Sequence, residues 1–304
     1  MKQVVIIGMG ALGILYGDLF TQTLGKEAVT FLADEKRIEK YQRDGVYCNG
    51  KKCDFNMTSD APAADLLIFA VKGTGLEQAI EEATKTVTEN TTIISLLNGI
   101  SSEEKLIERF GQERVIYCIA QGMDAVKLEN RLTYAHTGEL RIGITGEQQR
   151  DAAISVRLDA LVQFLEEAKV PYVKEEDILH RLWGKWMLNV GVNQVVMVSE
   201  GTYATIQKPG KEREMMLSAM KEVQKLSEYE KTGVTAEDID SYVALVDTLN
   251  PDGMPSMRQD GLAKRYSEVE MFAGTVIRKA EKYGVSVPTN QELYKRVKEI
   301  EATY

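Results

Sequence analysis

Lys185, Asn189 and Asn193 follow one another four residues apart in the stretch LWGKWMLNVGVNQ (182–194). In a helix that spacing sets one ammonium and two carboxamides on a single face. Around them Leu182, Trp183, Trp186, Met187, Leu188, Val190, Val192, Val195, Val196 and Met197 are apolar on nearly every other face. A helix of this composition belongs in an interior. Burying an unpaired charge costs on the order of several kcal/mol, and each amide taken out of water needs a partner. Something polar must therefore face the row. The chemistry a lysine offers there is proton donation. Desolvation beside Trp183 and Trp186 disfavours the ammonium and is expected to draw its pKa down from about 10.4. A positioned donor speeds proton transfer to a reacting group roughly 10²–10⁴-fold. The plainer reading is a lysine whose stem packs and whose head reaches water; two amides on the same face speak against it.

A second set of residues points to a dinucleotide. GMGALG (8–13) fits G-x-G-x-x-G, directly after the buried run VVII and at the start of a helical stretch, the context that gives this string meaning. Gly8 suits the tight turn, Gly10 the close approach of a pyrophosphate, and Gly13 the contact of helix and strand. The anion would rest on the helix N-terminus. Asp34 stands at the end of the second strand, where an acid accepts hydrogen bonds from ribose hydroxyls and repels a 2′-phosphate. That favours NAD. Lys36 and Arg37 lie within one turn of it and favour NADP if the loop bends, and Asp34 also suits a helix N-cap. Lys72 in AVKGTG (70–75) and Asn98 in LLNGIS (96–101) each follow a buried strand, on the carboxyl edge where ligands bind in open α/β sheets.

The elements that must position these residues fall into two halves. Strands are expected at 4–8, 28–33, 65–71, 91–97 and 114–120, with helices between them, the rhythm of a parallel sheet covered on both faces. Residues 131–145 read as an antiparallel pair at its edge, and YCNGKKC (47–53) as a hairpin tip. From about residue 171 the pattern is helical, with helices expected over 175–198, 209–231, 235–249, 258–284 and 289–302. The fold class is thus α/β: a Rossmann-type doubly wound parallel sheet in 1–170 and an all-helical domain in 171–304. The chain has 304 residues, 37 Lys plus Arg against 46 Asp plus Glu, and a net charge of −9, a balance that disfavours nucleic acid. No apolar run is long enough to span a membrane, and glycines interrupt the N-terminal apolar run, unlike a signal peptide. Three cysteines (Cys48, Cys53, Cys118), without metal-like spacing, fit a reducing, cytoplasmic compartment. His136 and His180 read as structural residues.

GMGALG, VKGTG, LLNGI, LWGKWMLNVGVN and PSMRQDGLAKRYSEVE occur in this order along the whole chain, and together they resemble the ketopantoate reductase (2-dehydropantoate 2-reductase) family. The resemblance implies reduction of a 2-keto acid by hydride from a nicotinamide, the step that makes (R)-pantoate on the way to pantothenate and coenzyme A. It implies that Lys185 is the general acid, that Asn189 and Asn193 bind substrate, and that Ser256 holds its carboxylate. Glu268 matches a glutamate near cofactor and substrate; its own sequence context, at the border of the stripe Val269, Phe272, Ala273 and Val276, allows it to look into a cleft. Gly8, Met9, Gly10, Ala11, Leu12, Gly13, Asp34, Lys72, Asn98 and Ala125 fall at cofactor positions, Asn98 also near substrate. Three residues depart from the family pattern: Asp34 where an arginine often holds the phosphate of NADPH, Gln194 where proline usually follows the second amide, and Tyr203 in place of a further asparagine.

The expected function is therefore NAD(P)H-dependent reduction of ketopantoate. An NAD-dependent D-2-hydroxyacid dehydrogenase acting on another keto acid is the nearest alternative, and a non-catalytic dinucleotide sensor a distant one. The cofactor is NADP by family default or NAD by Asp34, no metal is implied, and the helical half has enough apolar surface for a homodimer.

Overall fold

Four consecutive β-branched residues, Val4 to Ile7, are buried to within 2% and form strand β1. A strand apolar on both faces needs a cover on each. The computed structural model describes residues 1–304. Contacts group Met1–Asn98 and Ser102–Ile178 in one unit, and Gly99–Ser101 and Leu179–Tyr304 in a second.

In the first unit, β1 leads into α1 (Ala11–Leu24), then β2 (Val29–Leu32) and α2 (Glu35–Asp44). A hairpin of β3 (Tyr47–Cys48) and β4 (Lys51–Lys52) precedes β5 (Asn56–Thr58), β6 (Leu66–Phe69), α3 (Leu76–Ala83), β7 (Thr92–Ser95) and α4 (Ser102–Phe110). The main sheet runs β5-β2-β1-β6-β7, all parallel. Its order places β1 centrally, with the crossover on either side of it, the doubly wound pattern. The hairpin turns on Asn49 (φ 47°) and Gly50 (φ 80°), the two positive φ values that an Asn-Gly turn supplies.

Two expectations are corrected in this unit. The run 114–120 does not continue the parallel sheet. It joins the sheet only through an isolated parallel bridge of Val115 to Ile93, in which Ile93 N–H donates to Arg114 O and Ile116 N–H to Ile93 O, and the strand is β8 (Tyr117–Met123). Nor do the two parts of 131–145 pair with each other. β10 (Arg131–Thr133) pairs antiparallel with β9 (Val126–Leu128) and parallel with β3. β11 (Thr137–Gly143) pairs antiparallel with β8 and parallel with β12 (Tyr172–Lys174), which follows α5 (Ala152–Glu167). Alternating polarity specifies a strand but not its neighbour, and in the observed pairing Ile119, Leu140 and Ile142 are all buried.

The second unit is built on α6 (Ile178–Val198), followed by α7 (Ala204–Gln207), α8 (Lys211–Glu230) and α9 (Ala236–Thr248). The continuous helix expected over 258–284 is broken into α10 (Ser256–Leu262), a π-helical turn (Glu270–Gly274) and α11 (Thr275–Tyr283); α12 (Pro288–Glu301) closes the chain. The cause lies 34 residues downstream. Buried Glu301 accepts hydrogen bonds from the backbone N–H (2.8 Å) and hydroxyl (2.6 Å) of Ser267. Ser267 in turn accepts from Val269 N–H at 3.3 Å, which starts a new helical segment there. That carboxylate lies outside 258–284, so the periodicity of the segment does not carry the break. His180 is structural, its Nε2 2.9 Å from Asp238 Oδ2 in the capping box of α9.

A charge cluster braces α6 from outside. Lys279 donates to Glu230 at 2.9 Å and lies 5.6 Å from the ring centroid of Trp183; Tyr283 donates to the same carboxylate at 2.8 Å. Burial opposes ionisation of Glu230, but the Lys279 and Tyr283 hydrogen bonds outweigh it and hold its pKa below the ordinary 4.5. A carboxylate with a depressed folded pKa stabilises above its unfolded pKa, and that stability is lost as pH falls through the folded value. Glu230→Gln should therefore cost about 1.5 kcal/mol at pH 7. It should also flatten the decline of the thermal midpoint below pH 4.5, as read by circular dichroism from pH 3 to 7.

Candidate active site

In the first unit the glycine loop is shaped by contacts that admit no side chain. Gly8 has φ 105°, and a Cβ there would stand 2.5 Å from Ala70 O. One on Gly13 would stand 2.0 Å from Gly8 O. These two glycines serve the packing of α1 against β1 and β6, whereas Gly10 is exposed. Gly10 is also the N-cap of α1 and offers no side chain to the N–H groups of Ala11, Leu12 and Gly13. Met9 is buried beneath the loop, and Ala11 and Leu12 are half-buried. A helix start without a capping side chain, reached through an exposed glycine, fits a pyrophosphate. The residues present thus suit a dinucleotide.

Asp34 follows β2 and caps α2. Its Oδ1 accepts from Arg37 N–H at 2.9 Å, and Oδ2 lies 3.3 Å from Arg37 Nε. The helix cap and the ion pair hold the carboxylate at the strand end, and they tie Arg37 to an acid. Lys72 is exposed at the end of β6 and Asn98 is half-buried beyond β7, both at the carboxyl ends of parallel strands. Ala125 is half-buried in the turn between β8 and β9.

In the second unit, the row on α6 is a directed chain of hydrogen bonds. The backbone N–H of Met257, which can only donate, lies 3.1 Å from Asn193 Oδ1, and the Ser256 hydroxyl donates to the same oxygen at 3.1 Å. Asn193 is thereby oriented: its nitrogen faces the other way and donates to Asn189 Oδ1 at 3.2 Å. Asn189 then carries its Nδ2 as the donor end of the chain, one turn after half-buried Lys185. Asn193 is 5% exposed, and it does for α10 what Pro255 at the N-cap cannot. Ser256 is exposed and spends its proton on Asn193; to hold a carboxylate, the hydroxyl must swing away. Tyr203 packs under the loop that leads to Ser256. A Cβ on Gly253 would meet its ring at 3.0 Å, Tyr203 N–H donates to Gly253 O at 3.0 Å, and burial pushes its phenol pKa up.

Glu268 is half-buried immediately before the π-helical turn. Sequence reasoning missed what holds this turn. Trp186 Nε1 donates to Met271 O at 2.9 Å, and Ala273 N–H donates to Gln194 Oε1 at 3.2 Å. Trp186 and Gln194 were visible only as an apolar wall and as a departure from the family pattern. The available signal was a fully apolar helix face interrupted by one more amide.

Comparison with known proteins bears on both units. The family model described as Ketopantoate reductase PanE/ApbA matches residues 4–146, and its C-terminal counterpart matches 177–301. Among curated relatives, the 2-dehydropantoate 2-reductase of Aquifex aeolicus is 26% identical, covering 98% of this chain and 96% of that one. The Archaeoglobus fulgidus 2-dehydropantoate 2-reductase is 24% identical, covering 99% of each. Among solved structures, D-mandelate dehydrogenase in complex with NADH superposes with a TM-score of 0.86 at 20% identity, covering 99% of each chain. Dimeric ketopantoate reductase from Staphylococcus aureus does so with a TM-score of 0.80 at 19% identity, with the same coverage. With both halves matched in order, and with a glycine loop and a lysine–amide helix arranged as described, the chain belongs to the ketopantoate reductase family of NAD(P)-dependent oxidoreductases.

Proposed function

We propose that this protein reduces a 2-keto acid with NADH, and that 2-dehydropantoate is the first substrate to try. The observation that carries this reading is the donor-terminated amide chain on α6, one turn from Lys185. An uncharged ketone beside a carboxylate offers only acceptors. The row presents to it an amide N–H and an ammonium, which match those acceptors in kind. Reduced nicotinamide, when bound, supplies the hydride. Lys185 supplies the proton to the carbonyl oxygen as negative charge develops there, and Glu268 stands as the acid–base partner on the neighbouring segment. Asn189 orients the substrate; Asn193 acts mainly by orienting Asn189. Ser256 and Asn98 complete the substrate set. The loop Gly8–Gly13, including Met9, Ala11 and Leu12, would hold the pyrophosphate, with Lys72, Asn98, Ala125 and Glu268 along the cofactor.

Asp34 favours NADH. An acid at the end of the second strand suits a ribose in this fold, and Arg37, one of the two cations near it, is engaged by Asp34 itself. The neighbour solved in complex with NADH, D-mandelate dehydrogenase, supports the same preference and keeps a second reading open: a bulkier 2-keto acid in place of 2-dehydropantoate. Half-buried Tyr203 beneath the loop before Ser256, where the family pattern has an asparagine, favours that reading. Residues 1–170 are assigned to the dinucleotide and 171–304 to the substrate. A cytoplasmic homodimer fits the proposal; no helix is long and apolar enough to cross a membrane.

Two measurements test this. Absorbance at 340 nm over a panel of 2-keto acids should show kcat/KM with NADH about tenfold or more above that with NADPH, since a dianionic phosphate beside Asp34 is disfavoured. Asp34→Arg should reverse the preference, and an unaltered ratio would remove Asp34 from the account. Lys185→Ala should lower kcat by about 10²-fold or more. Donation requires the ammonium, so wild-type kcat/KM falls as pH rises through the Lys185 pKa. In the variant that basic limb should vanish, and its persistence would assign the proton to another group.

A further inference from the structure

Gln194 is completely buried on α6, yet it touches no position that the proposed chemistry uses. Its Nε2 donates to Val190 O at 2.8 Å and to Asn290 Oδ1 at 3.3 Å, and its Oε1 accepts from Ala273 N–H. Asn290, also completely buried, donates to Ala219 O and to Glu222 Oε2 at 3.3 and 2.7 Å. Glu222 further accepts the N–H groups of Thr289 and Asn290 at the start of α12. Two buried amides linked to a carboxylate form a costly network unless every member is satisfied, and here each has a partner.

The end of this network is the π-helical turn. Gly274 N–H bonds to Val269 O, five residues back, while Met271 and Phe272 both donate to Glu268 O. That wide winding takes Ala273 N–H out of the helical ladder, and Gln194 accepts it. The carbonyl of Met271, two residues earlier, is taken by Trp186. The Met271 side chain is met in turn by the segment Gly99–Ser101: the Ser101 hydroxyl is 3.8 Å from its Sδ. A π-turn is an uncommon, functionally placed distortion that persists only where its surroundings hold it. Here both holding side chains come from the helix that carries Lys185, Asn189 and Asn193.

We propose that Gln194, with Trp186, is a positioning residue for Glu268, locking the π-turn to α6 so that the glutamate keeps a fixed station relative to Lys185. This rests on the reading of Lys185 and Glu268 as the acid–base pair. The proposal also gives the departure at position 194 a role: an amide there reaches the turn and accepts its stray N–H, which a proline could not do. Because the residue acts through Glu268 alone, and the glycine loop that would hold the pyrophosphate is untouched, losing it disturbs proton handling more than substrate or cofactor binding.

The test is Gln194→Met, close in volume but with only a weakly accepting sulfur for Ala273, compared with Gln194→Glu, which at this fully buried position stays protonated and so keeps an acceptor oxygen for Ala273 and one hydrogen for Val190 O. Trp186→Phe opens only the Met271 bond. Measured quantities are kcat and KM for the best 2-keto acid, the NADH Kd by fluorescence quenching, and the pH profile of kcat/KM. The expected result for Gln194→Met is a tenfold or larger loss of kcat, KM and NADH Kd within about threefold of wild type, and a displaced pH limb. Partial recovery is expected in Gln194→Glu, and a smaller loss of the same kind in Trp186→Phe. Wild-type kcat and pH profile in a folded Gln194→Met or Trp186→Phe would overturn the proposal while leaving the keto-acid reductase reading intact. Parallel loss of kcat, NADH affinity and thermal midpoint in all three variants would overturn it as well, since that is the signature of a packing role. A wild-type enzyme that turns over no 2-keto acid with either nucleotide removes both the reading and this inference.

Discussion

A backbone N–H has one direction: it gives a proton and takes none. The Met257 N–H at 3.1 Å from Asn193 uses that asymmetry to set a whole row of side chains. Asn193 must turn its oxygen to α10, so its nitrogen must face Asn189, so Asn189 must end in a donor. An amide on its own rotates between two nearly equivalent settings. Anchored at one end to main chain, the row has only one. The polarity that suits an acceptor-bearing guest is thus built into the start of a short helix, not into the residues that would meet the guest.

The same helix answers two demands with two faces. Valines, Met187 and the tryptophans bury their apolar area and fix the rotation of α6. That leaves the amides nowhere to go but toward α10 and toward the π-turn before α11. A buried amide costs on the order of 1–3 kcal/mol if left unpaired, which makes every partner on this face stringent. Gln194 meets that condition through Ala273 and Asn290, and Asn193 through Met257 and Ser256. On the outside, Lys279 over Trp183 and the Glu230 cluster hold the helix where the row requires it.

Much of this was legible in the sequence, and the boundary has a physical basis. Buried parallel strands such as Val4–Ile7 and Leu66–Phe69 announce themselves because both faces must be apolar. The glycine loop did so too, because positions 8 and 13 exclude any Cβ. Spacing alone put Lys185, Asn189 and Asn193 on one face. What sequence did not carry was pairing at a distance. Strand β8 turned to β11 instead of extending the parallel sheet, because alternation names a strand and not its neighbour. The break in 258–284 depended on Glu301, and the roles of Trp186 and Gln194 depended on two carbonyl and amide groups freed by a π-turn. Spacing put Asn193 on the shared face and the resemblance made it a substrate contact, but neither carried the bond that its oxygen accepts from the Met257 main chain.

The polarity of the row is the claim on which the rest stands, and one titration addresses it most directly. Oxamate, a non-reducible mimic of a 2-keto acid, can be titrated into the NADH complex of the wild type and of Asn189→Asp, which exchanges the terminal N–H donor for an oxygen at nearly unchanged volume. The account predicts at least about tenfold weaker oxamate binding with the NADH Kd unmoved, since a hydrogen bond to a charged group is replaced by repulsion. Oxamate affinity within twofold of wild type would contradict it.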